Sequence, residues 1–230
     1  MNQQDSHLKL AQEYFDELAR RFPVMCASDE FHFLPRSQSA ASCYDKLDNL
    51  DSQAIKDSIE TLKSYQRAFA RLEHRHNTLE TRIDLQLLQA NIAGFIIEFD
   101  QKQIWQFNPL LYLKIAFIGL DHALNKPANA RGERAHRVLA RLSDAHRVLG
   151  QALKNITSVP VTYHQASISM IADCRRYLKW IVKDLTGRIA VKSVGKLPAY
   201  LKKAATALET LDHFLSSLTP RPDREFAVKT

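Results

Sequence analysis

The side chains that most often bind metals are present in this sequence, but their spacing does not build a metal site. The chain has nine histidines and three cysteines. A His-Glu-x-x-His motif, which places two imidazoles one helical turn apart beside a carboxylate, does not occur in it. His74 and His76 are two residues apart and point to different faces of a helix, while His136 and His146 miss a common face by roughly 80°. We therefore predict no metal site and no cofactor in this chain.

Residues for acid–base or nucleophilic catalysis are equally scattered. Glu98 stands in an apolar run from Phe95 to Phe99, where a buried carboxyl group could act as a general acid. The alternative, which we favour, is an exposed pair with Lys102, because glutamate and lysine four residues apart share a helix face. The sequence contains neither a Gly-x-Ser-x-Gly elbow nor a glycine-rich phosphate loop. We predict no catalytic residue and expect that this chain alone is not an enzyme.

Basic side chains are the most visible charged feature, and they concentrate in the second half of the chain. Residues 1–115 contain 13 Lys+Arg and 16 Asp+Glu, whereas residues 116–230 contain 19 and 9. The predicted basic patch consists of Arg134, Arg137, Arg141, Arg175, Arg176 and Lys179. Clustered cations are typical of surfaces that bind nucleic acid or an acidic protein. The alternative, a solvated helix face, is favoured because no nucleic-acid-binding module accompanies the patch.

Apolar residues repeat at helical spacing over most of the chain and predict an all-α fold. The sequence has six glycines, fewer than strands joined by tight turns usually need. About seven helices are predicted, with apolar stripes that start at Leu8, Ile55, Leu85, Leu110, Val138, Tyr163 and Leu201. Asn108–Pro109 is a helix-start signature, because asparagine caps a helix and proline suits its first turn. Short connections between long helices favour an antiparallel, bundle-like array, which we expect to form one domain over residues 1–230.

Shorter segments interrupt or end this helical pattern. Residues 23–43 show no period and predict a loop, and residues 74–77 predict a short turn. Thr157 or Ser158 is predicted to cap the sixth helix. The tail, residues 226–228, is the one candidate for a strand. None of these segments changes the predicted fold class.

Nothing in the sequence predicts export or membrane insertion. The N-terminus lacks the basic and apolar regions of a signal peptide. The longest apolar run, Leu110 to Leu120, is interrupted by Lys114 and is shorter than the ~20 residues that cross a bilayer. The three cysteines lie far apart and predict reduced, buried thiols. We therefore expect a cytoplasmic protein with no membrane partner.

An ordered set of short motifs resembles one bacterial protein family. The set comprises Asp84 with Leu87 and Leu88, Trp105, Asn108-Pro109, Tyr112, Arg141-Leu142, Leu149, Ala152, Asn155-Ile156, Pro160 and Phe226-Ala227-Val228. In this order and spacing, over residues 5–230, they resemble the N-terminal helical half of the family called domain of unknown function 885. Two positions depart from the family pattern: His146 stands where proline is frequent, and Lys229 stands where glycine commonly follows.

The resemblance implies one part of a zinc-dependent peptidase of the zincin type. Members of the family are much longer, and their His-Glu-x-x-His-like motif lies in the C-terminal half, so no catalytic residue is carried over. The implied role is a non-catalytic scaffold or a wall of the substrate channel. The implied partner is a C-terminal peptidase-like lobe, with self-association of the helical half as the alternative.

Four residues of the motif set are the predicted ligand- or partner-facing residues: Trp105, Asn108, Tyr112 and Arg141. The alternative for them is structural, with Asn108 as a helix cap and both Trp105 and Tyr112 in the core. Binding of an anionic partner, nucleic acid or an acidic protein, through the basic second half is the alternative function.

Overall fold

Helices account for the architecture of this protein. The computed structural model describes residues 3–73, 78–128, 130, 132–188 and 195–226. Within these ranges the chain forms α1 (Gln3–Arg21), α2 (Ser52–Glu73), α3 (Leu79–Ile96), α4 (Pro109–Asn125), α5 (Glu133–Asn155), α6 (Val161–Arg188) and α7 (Leu197–Ser217). Pro160 and Arg221 form an isolated β-bridge, and the described residues contain no strand. The predicted all-α fold with about seven helices is therefore confirmed.

The predicted start of α4 is confirmed by its cap. Asn108 Oδ1 accepts a hydrogen bond from the backbone amide of Leu110 at 3.1 Å, and Pro109 occupies the first helical position. The asparagine therefore satisfies an amide that has no partner within the helix, and the proline has no amide to satisfy. Both signals are local in sequence, which is why the sequence predicts this boundary.

The predicted cap of α6 is wrong, because this helix is capped from a distant part of the chain. α6 begins at Val161, beyond Thr157 and Ser158. The backbone amide of Thr162 donates to Asp223 Oδ1 at 3.1 Å, and its hydroxyl donates to Asp223 Oδ2 at 2.5 Å. These hydrogen bonds hold the pKa of Asp223 below its ordinary value. A carboxylate is favourable at this position because it also meets the positive end of the helix dipole.

Several segments outside the long helices form short turns. Residues 23–43 contain two 3-10 turns, Met25–Ala27 and Gln38–Cys43, in the region predicted to be a loop. α3 continues directly into a π-helical turn, Ile97–Gln101. The predicted turn at 74–77 lies outside the described residues, as do positions 227 and 228 of the predicted strand.

The described residues group into two compact units, and each unit has its own core. Unit 1 comprises residues 1–43 and 51–103, and unit 2 comprises residues 44–50 and 104–230. The prediction of one domain over residues 1–230 stays a prediction. The three cysteines are buried and form no disulfide, and burial raises the pKa of the Cys174 thiol to about 12, so the prediction of buried thiols is confirmed.

Unit 1 contains α1, α2 and α3 around an aromatic core. The rings of Phe95 and Phe99 stack with centroids 4.3 Å apart, and Phe22 of the segment after α1 lies 5.0 Å from Phe95. α2 also contacts α3 through polar groups, since Glu73 at the end of α2 accepts hydrogen bonds from Gln86 and Gln89 in the middle of α3. Aromatic burial of this kind supplies much of the stability of a small helical unit.

A polar clamp joins α1 to α2 in unit 1. Glu17 accepts hydrogen bonds from Arg20 and Arg21, and Arg21 also donates to Ser58 Oγ and Thr61 Oγ1 of α2, each at 3.1 Å. Partial burial alone would raise the pKa of Glu17, but the two arginines outweigh it and hold the pKa below its ordinary value of 4.5. The ionised carboxylate therefore stabilises the folded state.

Replacing this carboxylate tests the clamp. We expect Glu17→Gln to lower the free energy of unfolding by about 1–2 kcal/mol at pH 7, because it removes hydrogen bonds between charged groups. Since the folded-state pKa is lowered, the contribution of Glu17 is present above pH 4.5 and is lost as the pH falls through the folded-state pKa. Urea unfolding at pH 7 and at about pH 3 should show the difference between wild type and variant shrink with acidity. Glu13→Gln, on an exposed side chain, is the control. The prediction is contradicted if the free energies of unfolding of wild type and Glu17→Gln differ by the same amount at both pH values.

Unit 2 is an array of four long helices. α4 packs against α5 and α6, and α7 packs against the same two helices. α4 is apolar nearly all round and most of its residues are buried. The sequence therefore predicted the burial of α4 correctly.

The directions of the helices in unit 2 follow from their side-chain contacts. α4 and α5 are antiparallel, since Asn155 at the end of α5 meets Tyr112 at the start of α4. α6 and α7 are also antiparallel, since His164 contacts the carbonyl of Leu215. α4 and α6 run parallel. Near their starts, Phe107 just before α4 stacks on Tyr163 of α6, and further along both helices Phe117 contacts Tyr177. α5 and α7 are parallel as well, and they form the surface described below.

Candidate functional site

Arg141 lies in the interior of unit 2 rather than on its surface. Its side chain is fully buried, and Nη1 donates a hydrogen bond to the backbone carbonyl of Gly119 at 2.6 Å. The guanidinium carbon lies 5.8 Å from the centre of the Tyr44 ring. Burial lowers the pKa of Arg141 to about 10, opposed by the negative charges of Asp48 and Asp45. Asp48 is itself fully buried, so two opposite charges compensate each other inside the unit.

Trp105 and Tyr112 belong to a buried polar network at the junction of α4 and α5. The Tyr112 hydroxyl donates to the backbone carbonyl of Trp105 at 2.6 Å and accepts from Asn155 Nδ2 at 2.9 Å. Asn155 Nδ2 also donates to the carbonyl of Leu50 at 2.6 Å. Burial raises the pKa of Tyr112 well above its ordinary value, so the hydroxyl remains a neutral donor. Each polar group in the network has a partner, as buried polar groups require.

The structural alternative for these residues is confirmed: Asn108 caps α4, and both Trp105 and Tyr112 are in the core. Arg141 stands fourteen positions before Asn155 on α5, a separation of roughly 21 Å along the helix axis. The structure therefore joins Trp105, Asn108 and Tyr112 around the start of α4 and leaves Arg141 apart from them. That any of the four faces a ligand or a partner stays a prediction.

The segment 44–50 is the part of this region that the sequence did not reveal. The backbone amide of Leu50 donates to Gln151 Oε1 at 3.0 Å, and Arg147 Nη2 donates to the carbonyl of Asp48 at 3.2 Å. Leu47, Asp48 and Leu50 are buried. The only sequence signal is a pair of leucines that flank an aspartate, and this pattern is too short to predict a buried contact.

The basic patch does not form one exposed surface. Arg137 is 6% exposed, lies over the Tyr44 ring at 5.0 Å, and donates to the carbonyl of Pro127 at 2.7 Å. Arg137 also forms an ion pair with Glu133. Arg137 and Arg141 therefore lie on the side of α5 that faces Tyr44, and their charges are directed away from solvent.

The patch residues on α6 are on the surface, and two of them have acidic partners. Arg175 Nη2 lies 2.6 Å from Asp212 Oδ2, and Arg176 forms an ion pair with Asp173. Lys179 is exposed, and Arg134 on α5 is half-buried. Elsewhere, Lys102 Nζ lies 2.6 Å from Glu98 Oε1, so the favoured interpretation of Glu98 as half of a helix pair is confirmed.

A groove lies between α5 and α7 of unit 2. Its volume is about 640 Å³, within the range of ligand sites. It is lined by His146, Gly150 and Leu153 of α5 and by Ala199, Tyr200, Lys202, Lys203, Thr206, Ala207 and Thr210 of α7. We call this surface the α5/α7 groove. Its lining is mostly small or apolar, and the basic side chains among the described lining residues are His146, Lys202 and Lys203.

The outer face of α3 is the most exposed apolar surface of unit 1. Leu79 is 71% exposed, Ile83 46% and Leu87 58%. These residues are four positions apart and lie on one side of the helix. The opposite side carries Leu85, Leu88 and Ile92, which are buried in unit 1. α3 is therefore apolar on two opposite faces, and we call the exposed one the α3 outer face.

Metal-binding clusters and membrane-spanning helices are both absent from the part of the chain that the structure describes. No group of three or more His, Cys, Asp or Glu side chains in this part of the chain is arranged to hold a metal ion. None of its helices combines the length and the apolar character needed to cross a membrane.

The fold of this chain is similar to that of a solved bacterial structure. The match is a "putative lipoprotein of unknown function" from Shewanella oneidensis, with a TM-score of 0.74 and 14% sequence identity. It covers 90% of this chain and 36% of the other, so this chain spans about a third of the length of that protein. No family model and no curated protein matches the sequence. At this level of identity the similarity shows the fold alone.

Proposed function

We propose that this chain is a non-catalytic helical scaffold that packs against a further protein lobe. In this proposal it corresponds to the N-terminal half of a zincin-like peptidase of the domain of unknown function 885 family. The observation that carries the proposal is the α3 outer face. The structural similarity supports the proposal, because the shared helical part is 36% of the matched protein and the rest of that protein lies outside it.

The argument from the α3 outer face is energetic. Single exposed leucines are common on protein surfaces and require no explanation. Three large apolar residues that repeat every fourth position on one face of a helix are different, because they form a contiguous stripe. Burial of each such side chain contributes about 1.5–3 kcal/mol. A stripe of this kind is typical of a helix that packs against a second surface.

The partner that we propose is a peptidase-like lobe carrying the zinc motif. The test begins with the DNA that flanks the coding region of these 230 residues, which should encode a segment containing His-Glu-x-x-His in frame or in a neighbouring gene. If the flanking DNA encodes no such segment, the proposal of a peptidase scaffold is wrong.

Substitutions on the α3 outer face test the docking surface itself. The encoded segment, expressed separately, is titrated into this chain and binding is measured by calorimetry. Leu87→Lys is expected to weaken binding at least tenfold, which corresponds to about 1.4 kcal/mol, because it places a charge in a buried apolar contact. Ser64→Lys, on an exposed position of α2, is the control and should bind like wild type. If both variants bind like wild type, the lobe does not contact the α3 outer face. If sedimentation shows a concentration-dependent dimer, this face mediates self-association instead.

A second proposal is the binding of an anionic partner through the basic half of the chain. The observation that favours it is the state of Lys202 and Lys203, which line the α5/α7 groove and have no ion-pair partner in the described part of the chain. Uncompensated cations beside a concave surface attract negative charge. This proposal is compatible with the first, since the two surfaces belong to different units.

A cytoplasmic location remains a proposal as well. The matched protein is described as a lipoprotein, which makes the bacterial envelope the competing location. Fractionation of cells expressing the natural gene, with detection of the chain in cytoplasmic and membrane fractions, tests the two locations directly.

A further inference from the structure

We infer that the α5/α7 groove binds an amphipathic, acidic α-helix of a partner protein. The inference rests on the second proposal above and narrows it in two ways. It assigns the contact to one surface, and it names the class of partner. Three properties of the groove carry the inference: its shape, its floor and its charge.

The shape of the groove suits a helix. α5 and α7 run parallel along its two sides, and the lining of α7 extends from Ala199 to Thr210, a distance of roughly 16 Å or three helical turns. A third helix packs between two others by placing its side chains in the depression between them. Helix-in-groove recognition uses the same geometry, with apolar anchors at every third or fourth position.

The floor of the groove allows close approach. Gly150, Ala199 and Ala207 present at most a methyl group to it. A Cβ atom added at Gly150 would have no heavy atom within 4 Å, so the space above this residue is open. Small residues at such positions bring helices close together, because no long side chain separates the backbones.

The charge of the groove selects an acidic partner. Among the residues that the structure describes, its charged lining residues are Lys202 and Lys203, and none of the lining residues is acidic. His146 has its Nδ1 atom buried without a hydrogen-bond partner. The carboxylate of Asp212 on the same helix is engaged by Arg175. Asp or Glu side chains on the flanks of a docked helix would therefore meet uncompensated cations, which favours association and fixes orientation.

A helix is favoured over nucleic acid by the same surface. Nucleic-acid sites without a recognised module combine several phosphate contacts with exposed aromatic rings. Among the described lining residues, the groove offers the Tyr200 ring and the imidazole of His146, and the rest of its lining is mainly methyl and methylene groups. Arg137 and Arg141, which would be the natural phosphate ligands on α5, are buried against Tyr44.

Selection from a peptide library tests the inference with the whole chain. A displayed library of random 18-residue peptides is selected for binding to the wild-type chain, and binders that also bind Gly150→Leu are removed. A Cβ atom at this position meets no heavy atom within 4 Å, and leucine favours the helix more than glycine does, so we expect this variant to fold, which its circular dichroism and thermal unfolding verify. The enriched peptides should have acidic residues flanking an apolar stripe of helical period.

One enriched peptide, labelled with fluorescein, then serves as the probe in anisotropy titrations. Its affinity should fall more than tenfold for Gly150→Leu and about tenfold for the double variant Lys202→Glu/Lys203→Glu. Lys46→Glu, an exposed lysine of the same unit outside the groove, is the control and should leave the affinity unchanged. An 18-nucleotide single-stranded DNA is titrated in parallel. The inference is overturned if no acidic helical pattern is enriched, if the groove variants bind like wild type, or if the DNA binds more tightly and is lost in the lysine variant. None of these results affects the α3 outer face, so the scaffold proposal is judged separately.

Discussion

Replacement of Arg141 with methionine is expected to lower the free energy of unfolding by about 3 kcal/mol. Methionine approximates the length of the arginine side chain but removes its charge and its hydrogen bond to the carbonyl of Gly119. The carboxylate of Asp48, which is fully buried, would then lose the nearby positive charge that compensates it. Breaking a buried pair of charges from one side is costly, because the remaining charge is left in a medium that solvates it poorly.

A double-mutant cycle separates this electrostatic effect from the loss of packing. Asp48→Asn removes the other charge, and the combined variant should be less destabilised than the sum of the two single variants, because the penalty for one uncompensated charge disappears. The free energies come from urea unfolding followed by tryptophan fluorescence. Arg176→Met is the matched control: its side chain is 74% exposed, and its effect should be within about 0.5 kcal/mol.

The outcome bears on function as well as on stability. If Arg141→Met unfolded no more easily than Arg176→Met, the arginine would be dispensable for the fold and its prediction as a ligand-facing residue would gain weight. A large and additive loss of stability, without coupling to Asp48, would contradict the compensation described here. The expected result, a large loss that is coupled to Asp48, assigns Arg141 to the interior of the scaffold.

Most of the fold could be predicted because helix signals are local. The apolar stripe that begins at Ile55 and the Asn108–Pro109 start each lie within a few turns of the helix that they specify. The contacts that the sequence did not predict join residues that are far apart. The cap of α6 comes from Asp223, and the amide of Leu50 reaches Gln151 across about a hundred residues. Local periodicity carries no information about such partners.

The candidate site was less predictable for a related reason. Helical spacing places Arg137 and Arg141 on the same face of one helix, but it does not say whether that face meets solvent or protein. The deciding residues are Tyr44 and Asp48, in a short segment with no helical period. The α5/α7 groove could not be predicted from the sequence either. A glycine within a helix, such as Gly150, gives no sequence signal that distinguishes a groove from an open surface.

The family-like motifs acquire a physical meaning from these contacts. Trp105, Tyr112 and Asn155 share one buried hydrogen-bond network, and Arg141 compensates a buried aspartate. These members of the motif set therefore have structural roles in this chain.

The network around Asn155 provides the second large effect that we expect. Asn155→Ala should lower the free energy of unfolding by about 2–3 kcal/mol, because it leaves the buried carbonyl of Leu50 without its hydrogen bond and opens a small cavity. The amide of Leu50 is bonded to Gln151, and its hydrogen exchange should become faster as the segment 44–50 loosens.

Two further variants decide whether this effect comes from the network. Tyr112→Phe removes the hydroxyl that bonds both Trp105 and Asn155. The double variant Tyr112→Phe/Asn155→Ala should lose less free energy of unfolding than the sum of the losses of the two single variants. Asn125→Ala, on an exposed asparagine that bonds Asp121 within one turn, should change stability by about 0.5 kcal/mol or less. If Asn155→Ala matched Asn125→Ala in stability and in the exchange rate at Leu50, the network would not hold the segment 44–50. Asn155 would then be available for a contact with a partner instead.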